Sequence, residues 1–249
     1  MSMRTPLEVG LGTYMGQFYA QLVADTPAME EYVVRGLFKS IVWVPGRMVD
    51  DVQGMLDEWR KNDNHRDGGR PTGAPGLSSF LPVMLVGMAK DFSPSPPDWG
   101  VPVGGAIEIG SPADPHARMY KLRTMTSDYR AQVVIIAPEA HTAHSLALQF
   151  NLWANSAGGR RFKHWHEHAG IQHDFPAMLD EIDLGAVDAK VEQKNLTILL
   201  IDLNIRATIP VFQSPKAGED NDGRAAPAGY PVVVQVDGLN RDGVAWTAK

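Results

Sequence analysis

Cysteine is missing from the chain altogether, which narrows the chemistry that its 249 residues can carry. Without thiols there is no disulfide framework, no cysteine nucleophile and no thiolate metal ligand. Long apolar runs are missing too, since no stretch approaches the roughly 18 residues that a membrane-spanning helix needs. The first eight residues contain no apolar segment followed by a cleavage site. We therefore expect a soluble protein that acts where it is made.

Positive charge is in deficit, with 23 Lys and Arg against 29 Asp and Glu and a formal net charge of −6. A chain of this charge has no overall field that attracts nucleic acid. The remaining composition, 44% hydrophobic and 21% charged, is typical of globular proteins and suffices for one large domain or two small ones. No repeat of fixed period is visible, which favours a single large domain.

The clearest structural pattern lies in residues 127–212. It begins with a β-branched run that favours a strand, and Pro138 after it suits the first turn of a helix. Apolar residues then recur at spacings of three and four, which indicates one apolar stripe on a helix. The predicted elements are a strand at 129–137, a helix at 140–155, a strand pair within 161–175 and a long strand at 196–209.

The long strand shows the cleanest alternation in the chain. One predicted face carries Leu199, Ile201, Leu203, Ile205, Ala207 and Ile209, and the other carries Leu200, Asp202, Asn204, Arg206 and Thr208. Alternation of this kind is typical of an antiparallel sheet with one wet face. Pro210 either ends the strand or places its end at a sheet edge. The sequence therefore predicts an α+β fold, with a mixed, mostly antiparallel sheet flanked by helices.

The remaining residues predict further elements separated by long loops. Helices are predicted at 11–24 and 48–59, strands at 37–44 and 80–88, and long loops at 61–79 and 93–117, the latter with a small hairpin at 106–109. We expect one domain over 1–212, followed by a linker and C-terminal arm over 213–249. The arm holds a strand at 230–236, which pairs either with its own sheet or with the sheet edge of a neighbouring subunit.

Histidines are concentrated in one short segment. Alternation places His164, His166 and His168 on one face of a strand, and His173 follows. Neutral imidazoles on one face can ligate zinc or another divalent metal. However, same-face neighbours on one strand lie about 7 Å apart, which makes three-way ligation from that strand awkward. A metal-binding enzyme therefore remains an alternative hypothesis, while we predict neither metal nor cofactor.

A basic patch formed by Arg160, Arg161 and Lys163 lies beside these histidines, with Phe162 and Trp165 interleaved. Basic and aromatic residues together can contact a phosphate backbone. Because the whole chain is acidic, a charged protein interface fits the patch better. No group of residues in the sequence assembles into a recognisable active site, so we predict a structural or assembly protein and not an enzyme.

Blocks of sequence spread over residues 11–212 carry a family resemblance. They are Thr13–Tyr19, Ile41–Pro45, Met55–Trp59, Phe80–Val86, Asp91–Pro96, Asp128–Ile136 and the strand Leu196–Ile209 closing on Phe212. In residue type, spacing and order they resemble the tail terminator, or tail sheath stabiliser, family of contractile-tailed bacteriophages. The stretch 93–117 and the strand at 230–236 depart from that pattern.

The resemblance implies a six-fold ring that caps the tail tube and sheath at the head-proximal end, stops their polymerisation and joins the tail to the neck. Its partners are then further copies of itself, tube and sheath proteins, and neck proteins. The genome passes through the ring without sequence-specific binding. It implies a virion protein assembled in the host bacterial cytoplasm. Because the stretch 93–117 and the strand at 230–236 depart from the family pattern, an alternative interpretation is another ring protein of the same virion, such as a neck, collar or baseplate component.

Candidate contact residues follow from the patch and the arm. The basic residues Arg160, Arg161 and Lys163 are candidates for a charged interface. The candidates on the predicted terminal strand are Tyr230, Val232 and Val234, one face of the segment that a neighbouring sheet edge can accept.

Overall fold

The computed structural model describes residues 5–46, 49–57, 81–95, 107–110, 119–168, 170–180, 184–189, 196–216, 236–239 and 245–248. The chain divides into two compact units. The first comprises residues 1–105 and 123–211, and the second comprises residues 106–122 and 212–249. Residues 106–122 thus belong to the same unit as the C-terminal segment. The predicted loop 61–79 lies outside the described residues, as does most of 93–117.

Three helices precede the first strand, and most of the described strands follow one another without a helix between them. The helices are α1 Pro6–Tyr19, α2 Pro27–Val34, α3 Leu37–Ser40, α4 at residues 52–57 and α5 Ala140–Asn155. The strands are β1 Ile41–Trp43, β2 Val83–Pro94, β3 Ile107–Gly110, β4 Met119–Ala137, β5 Arg161–His168, β6 Ile171–Leu179, β7 Ala186–Asp188, β8 Thr197–Gln213, β9 Val236–Leu239 and β10 Ala245–Ala248.

One mixed sheet holds eight of these strands. Its main path runs β1-β2-β4-β8-β6-β5, while β3 pairs with β4 and β7 pairs with β8. Strands β1 and β2 are parallel, and the β2–β4, β5–β6 and β6–β8 pairs are antiparallel. In the second unit β9 and β10 form a separate antiparallel pair. The predicted α+β fold with a mostly antiparallel sheet is confirmed.

Two apolar cores lie on opposite faces of the sheet. The main core packs α1, α2 and α5 against one face, and its fully buried members include Leu11, Met29, Phe150, Ile135 and Ile201. The smaller core packs α4 against the other face, through Met55 and Leu56 onto Val134 and Ile136. The sheet is therefore helix-covered on both sides where its strands are most apolar, and each fully buried Leu or Ile contributes about 1.5–3 kcal/mol.

Helix α1 begins earlier than predicted. The hydroxyl of Thr5 accepts a hydrogen bond from the backbone N–H of Glu8, and the Glu8 carboxylate accepts one from the backbone N–H of Thr5. This capping box, with Pro6 at the first helical position, fixes the start. The predicted range of 11–24 was therefore displaced by about one turn, although the apolar stripe itself is buried as expected.

The predicted strand at 37–44 was wrong over its first half. Residues Leu37–Ser40 form the single turn α3, and only Ile41–Trp43 are extended. The Ser40 hydroxyl donates to the Tyr32 carbonyl at 2.6 Å, which ties α3 back to α2. Helix α2 was not predicted, although Thr26 caps its start and Pro27 follows the cap.

The central strands are longer than predicted. Strand β4 begins at Met119, ten residues before the predicted start, and β8 continues past Pro210 to Gln213. Pro210 lies beyond the Ile205–Ala207 segment that pairs with β6, where a missing N–H is tolerated. The predicted helix at 140–155 and the predicted strand pair are confirmed by α5, β5 and β6.

Candidate functional site

A band of polar side chains crosses the sheet on the face that carries the smaller core. We call this band the polar strip, and it consists of Asp50, Ser95, Asp128, Arg130, Gln132, Asp180, Asp202 and Arg206. It follows from strand alternation, because Gln132 and Asp202 share a face with the apolar residues two positions along β4 and β8.

Arg206 is the centre of the polar strip. Its Nε donates to Asp128 Oδ1 at 2.8 Å, and its Nη2 donates to Asp128 Oδ2 at 3.1 Å and to Asp180 Oδ2 at 2.9 Å. The Ser95 hydroxyl donates to Asp128 Oδ1 at 2.6 Å. The Arg206 side chain is only 8% exposed. One guanidinium thus joins β4, β8 and the residues that follow β2 and β6.

The electrostatics of this group favour permanent charge. Hydrogen bonds from Arg206 hold the pKa of Asp128 below its usual range, with a smaller contribution from Ser95. The same carboxylate raises the pKa of Arg206. A bidentate pair of this kind is short, directional and charge-assisted. Asp128 is therefore a poor proton donor at neutral pH, which argues against general acid catalysis by this group.

The end of the polar strip at Asp50 and Arg130 is more exposed to solvent than the end at Arg206. The amide of Gln132 donates to Asp202 at 2.8 Å and its carbonyl accepts from the backbone N–H of Asp50 at 3.1 Å. Arg130 forms an ion pair with Asp50, and both side chains are more than half exposed. The left-handed backbone of Asp50, with φ of 71°, turns its N–H towards the sheet. A solvated pair of this kind adds little stability.

A shallow cleft of about 280 Å³ opens beside Asp50. Its lining residues are Gly46, Val49, Asp50, Ala89, Lys90, Asp91 and Arg130. Four of the seven are charged, of both signs. Sites for small organic ligands are mostly apolar with a few polar groups, so this cleft lacks the usual character of one.

The histidines occupy the face of β5 that lies under α1. His164 is fully buried, and its ring centroid lies 5.2 Å from that of His166. Cross-strand pairing places His166 directly opposite His173. Among the described residues, no three His, Asp or Glu side chains are arranged to hold a metal ion.

The buried imidazoles are held neutral by their surroundings. Burial, with a contribution from His166, lowers the pKa of His164 to about 4, and the backbone of Thr208 offsets this only in part. Burial likewise lowers the pKa of His166. Burial, together with His173, lowers the pKa of His168. This face therefore titrates below neutral pH.

Helix α1 lies against the backbone of β5 at Gly10. A Cβ atom at this position would meet the Lys163 carbonyl oxygen at 2.8 Å and the His164 Cβ at 2.9 Å. Only glycine permits the approach. Because β5 ends the strand order, α1 covers one face of an edge strand.

The predicted basic patch separates into two parts. Arg160 turns inwards, donating from Nε to the Leu179 carbonyl at 3.1 Å and from Nη2 to the Asp180 carbonyl at 2.9 Å. Arg161 and Lys163 are exposed on the outer face of β5, and Lys163 lies 3.7 Å from Asp174. Tyr230, Val232 and Val234 lie outside the described residues. The structure thus leaves two of the three basic candidates available to a partner.

The polar strip was only partly visible in the sequence. Alternation along β8 placed Asp202 and Arg206 on the polar face, but no sequence pattern assigned a role to Asp180. The buried pairing of Arg206 depends on Asp128, 78 positions away, and no local pattern connects them. Asp128 stood inside one of the blocks that carry the family resemblance, without a role of its own.

Comparisons with known proteins give no further identity. No family model matches the chain, and no curated protein matches it. Within the described residues, none of the helices combines the length and apolarity that crossing a bilayer requires.

Proposed function

We propose that this chain is a structural virion protein, a ring-forming tail terminator at the head-proximal end of a contractile phage tail. In this role it stops the growth of tube and sheath and joins the tail to the neck. The observation that carries the proposal is the ordered series of blocks that resembles this family. Most of these blocks fall on described elements, namely α1, β1, β2, β4 and β8.

The chemistry of the polar strip supports binding over turnover. Its buried charges are paired with one another, and Asp128 is held ionised by Arg206. Active sites typically contain groups whose pKa has moved towards neutrality for proton transfer. In this strip the shifts run the other way, which suits a rigid scaffold that presents surfaces to partners.

The experiment is the mass of the purified protein by light scattering, with and without isolated tail tubes. We expect a hexamer, or a smaller species that becomes a six-fold ring on tube ends. Added protein should also stop tube growth in a polymerisation assay. A monomer or dimer that is indifferent to tubes would contradict the proposal.

Binding to isolated heads, tubes and sheaths separates the alternative ring positions within a virion. A terminator binds the head-proximal end of tubes and sheaths. A neck or collar component binds filled heads without tails, and a baseplate component binds the opposite tube end. Electron microscopy of tubes decorated with the labelled protein distinguishes these outcomes directly.

A further inference from the structure

Two exposed apolar surfaces in the first unit carry opposite charges. One is the α2–α3 turn, residues Val34–Phe38, and the other is the β7 edge, residues Ala186–Asp188. Neither was singled out by the sequence patterns. Contiguous exposed apolar patches, especially those rimmed by polar residues, mark protein–protein contact sites.

The α2–α3 turn presents two large side chains to solvent. Val34 is 85% exposed and Phe38 is 84% exposed, more than any other large hydrophobic among the described residues. Gly36, with φ of 91°, reverses the chain between them. Arg35 lies within the turn and the exposed Lys39 follows it directly, so its apolar surface has a basic character.

No carboxylate of the described residues lies within ion-pair distance of Arg35, although the charge of Glu31 acts on it from farther away. Its Nε donates to the Ser40 hydroxyl at 3.0 Å and its guanidinium lies 5.1 Å from the centre of the Tyr32 ring. The Nη1 and Nη2 atoms are buried and donate to no group among the described residues. A buried, unpaired guanidinium is costly, and an incoming carboxylate can remove that cost.

The β7 edge is the acidic counterpart. All three of its residues are exposed, and Val187 remains 64% exposed although it is part of the sheet. Asp188 follows Val187 directly. The strand pairs with β8 at Leu199–Ile201, and no further strand pairs with its outer side among the described residues.

The α2–α3 turn and the β7 edge lie at opposite edges of the sheet, near the same row of paired residues. Ile41, which follows α3, pairs with Met84, and Met84 pairs with Ile135. The contacts of Asp128 with Arg206 and of Gln132 with Asp202 set the alignment of β4 with β8. This alignment places Ile135 level with Leu199, the partner of Asp188. Four strand spacings, about 19 Å, separate the two sides.

We propose that the α2–α3 turn of one copy docks on the β7 edge of the next copy. Val34 and Phe38 cover Val187, and Asp188 pairs with Arg35 after that side chain turns outwards, with Lys39 beside it. Because the surfaces differ and lie on opposite sides, the contact is head-to-tail and closes into a ring when the rotation permits. The inference rests on the proposed ring and assigns its lateral contact.

Because the chain has no native cysteine, any disulfide must form between introduced cysteines. Phe38→Cys and Val187→Cys are combined in one chain, and the assembled protein is oxidised. We expect a ladder of covalent multimers that ends at the ring size, while each single-cysteine variant yields no ladder. The matched control combines Leu148→Cys with Val187→Cys, because Leu148 is a similarly exposed residue on α5, at 62%. Rings that form but give no ladder would overturn the contact.

A charge exchange tests the ion pair independently. Asp188→Arg and Arg35→Glu should each weaken self-association at least tenfold. Mixing the two variants should restore it, because each interface of an alternating ring then joins opposite charges. Lys39→Glu serves as a second basic-side variant at an exposed position. Restored assembly supports the pairing, while two single variants that assemble normally contradict it.

The two proposals fail in different ways. If the wild-type protein forms no ring with or without tubes, the proposed function fails. If the wild-type ring forms on tubes, but Phe38→Glu assembles as well as the control Leu148→Glu, only the lateral contact fails. Circular dichroism of each variant confirms that the comparison is between folded proteins.

Discussion

Arg206 and His164 are both buried ionisable residues of one sheet, but their surroundings favour opposite charge states. Arg206 is surrounded by carboxylates and stays charged. His164 has no carboxylate against it among the described residues, and burial keeps it neutral. The difference shows how one sheet can hold a permanent charge on one face and an acid-sensitive group on the other.

The lowered pKa values of His164 and Asp128 make the stability of the fold sensitive to acid in two separate pH ranges. The pKa of His164 is lowered in the fold, so the unfolded chain binds more protons between pH 6.5 and about 4, and stability falls as the pH drops through that range. The pKa of Asp128 is also lowered in the fold. Its contribution is complete above its unfolded value of 3.8 and is lost only as the pH falls below that value.

The largest effect should come from removing the buried cation. Arg206→Ala leaves Asp128 and Asp180 without their partner, and loss of one member of a buried pair costs about 3–5 kcal/mol. We expect the free energy of unfolding to fall by about 3 kcal/mol, measured by urea denaturation at pH 7. An Arg206→Ala variant as stable as the wild type would show that the pair contributes nothing.

A smaller loss is expected at the contact of α1 with β5. Gly10→Ala places a methyl group 2.8 Å from the Lys163 carbonyl oxygen, so the helix must move away from the histidine face. We expect roughly 2 kcal/mol of destabilisation, the usual cost of overpacking. The matched control is Gly12→Ala on the same helix, whose new Cβ would meet the Trp43 ring at 3.6 Å, an ordinary contact. That variant should gain stability from helix propensity.

The variant His164→Phe tests whether His164 causes the loss of stability in acid. Removing the titratable ring should reduce the loss of stability between pH 6.5 and 4 by on the order of 2 kcal/mol. The measurement is a set of denaturation curves over that range, with His164→Leu as a second variant in case phenylalanine overpacks the site. The exposed His144→Phe should retain the wild-type pH dependence. An unchanged profile in both His164 variants would contradict the assignment.

The smallest effect is expected at the exposed end of the polar strip. Arg130→Ala removes an ion pair whose members are more than half exposed, and such pairs contribute about 0–1 kcal/mol. We expect a change below 1 kcal/mol that shrinks further in 1 M salt. A loss as large as that of Arg206→Ala would mean that the two ends of the strip act as one cooperative unit.

The sequence predicted those elements whose own pattern decides their structure. Helix α5 and the alternating faces of β8 were predicted because a continuous apolar stripe or period-two pattern runs through them. The start of α1 was missed because the capping box at Thr5 and Glu8 outweighs the apolar stripe in setting the boundary.

The features missed entirely depend on distant partners. The burial of Arg206 requires Asp128 and Asp180 from other strands, and the glycine at position 10 matters only because β5 lies beneath it. The level placement of the α2–α3 turn and the β7 edge follows from strand order, which local periodicity does not encode. Chemistry assembled across a sheet is therefore hidden from a linear pattern.

The position of β8 also has a consequence for synthesis. It lies between β4 and β6 in the sheet, although it follows both in the chain. A ribosome that has produced residues 1–196 has made both flanking strands but not the strand that joins them. The edges of β4 and β6 then stay unpaired until residues 197–213 have left the exit tunnel, and unpaired edges invite association with other nascent chains. A slow codon cluster just before residue 197 would prolong that exposure, so translation speed at this point should set the yield of soluble protein.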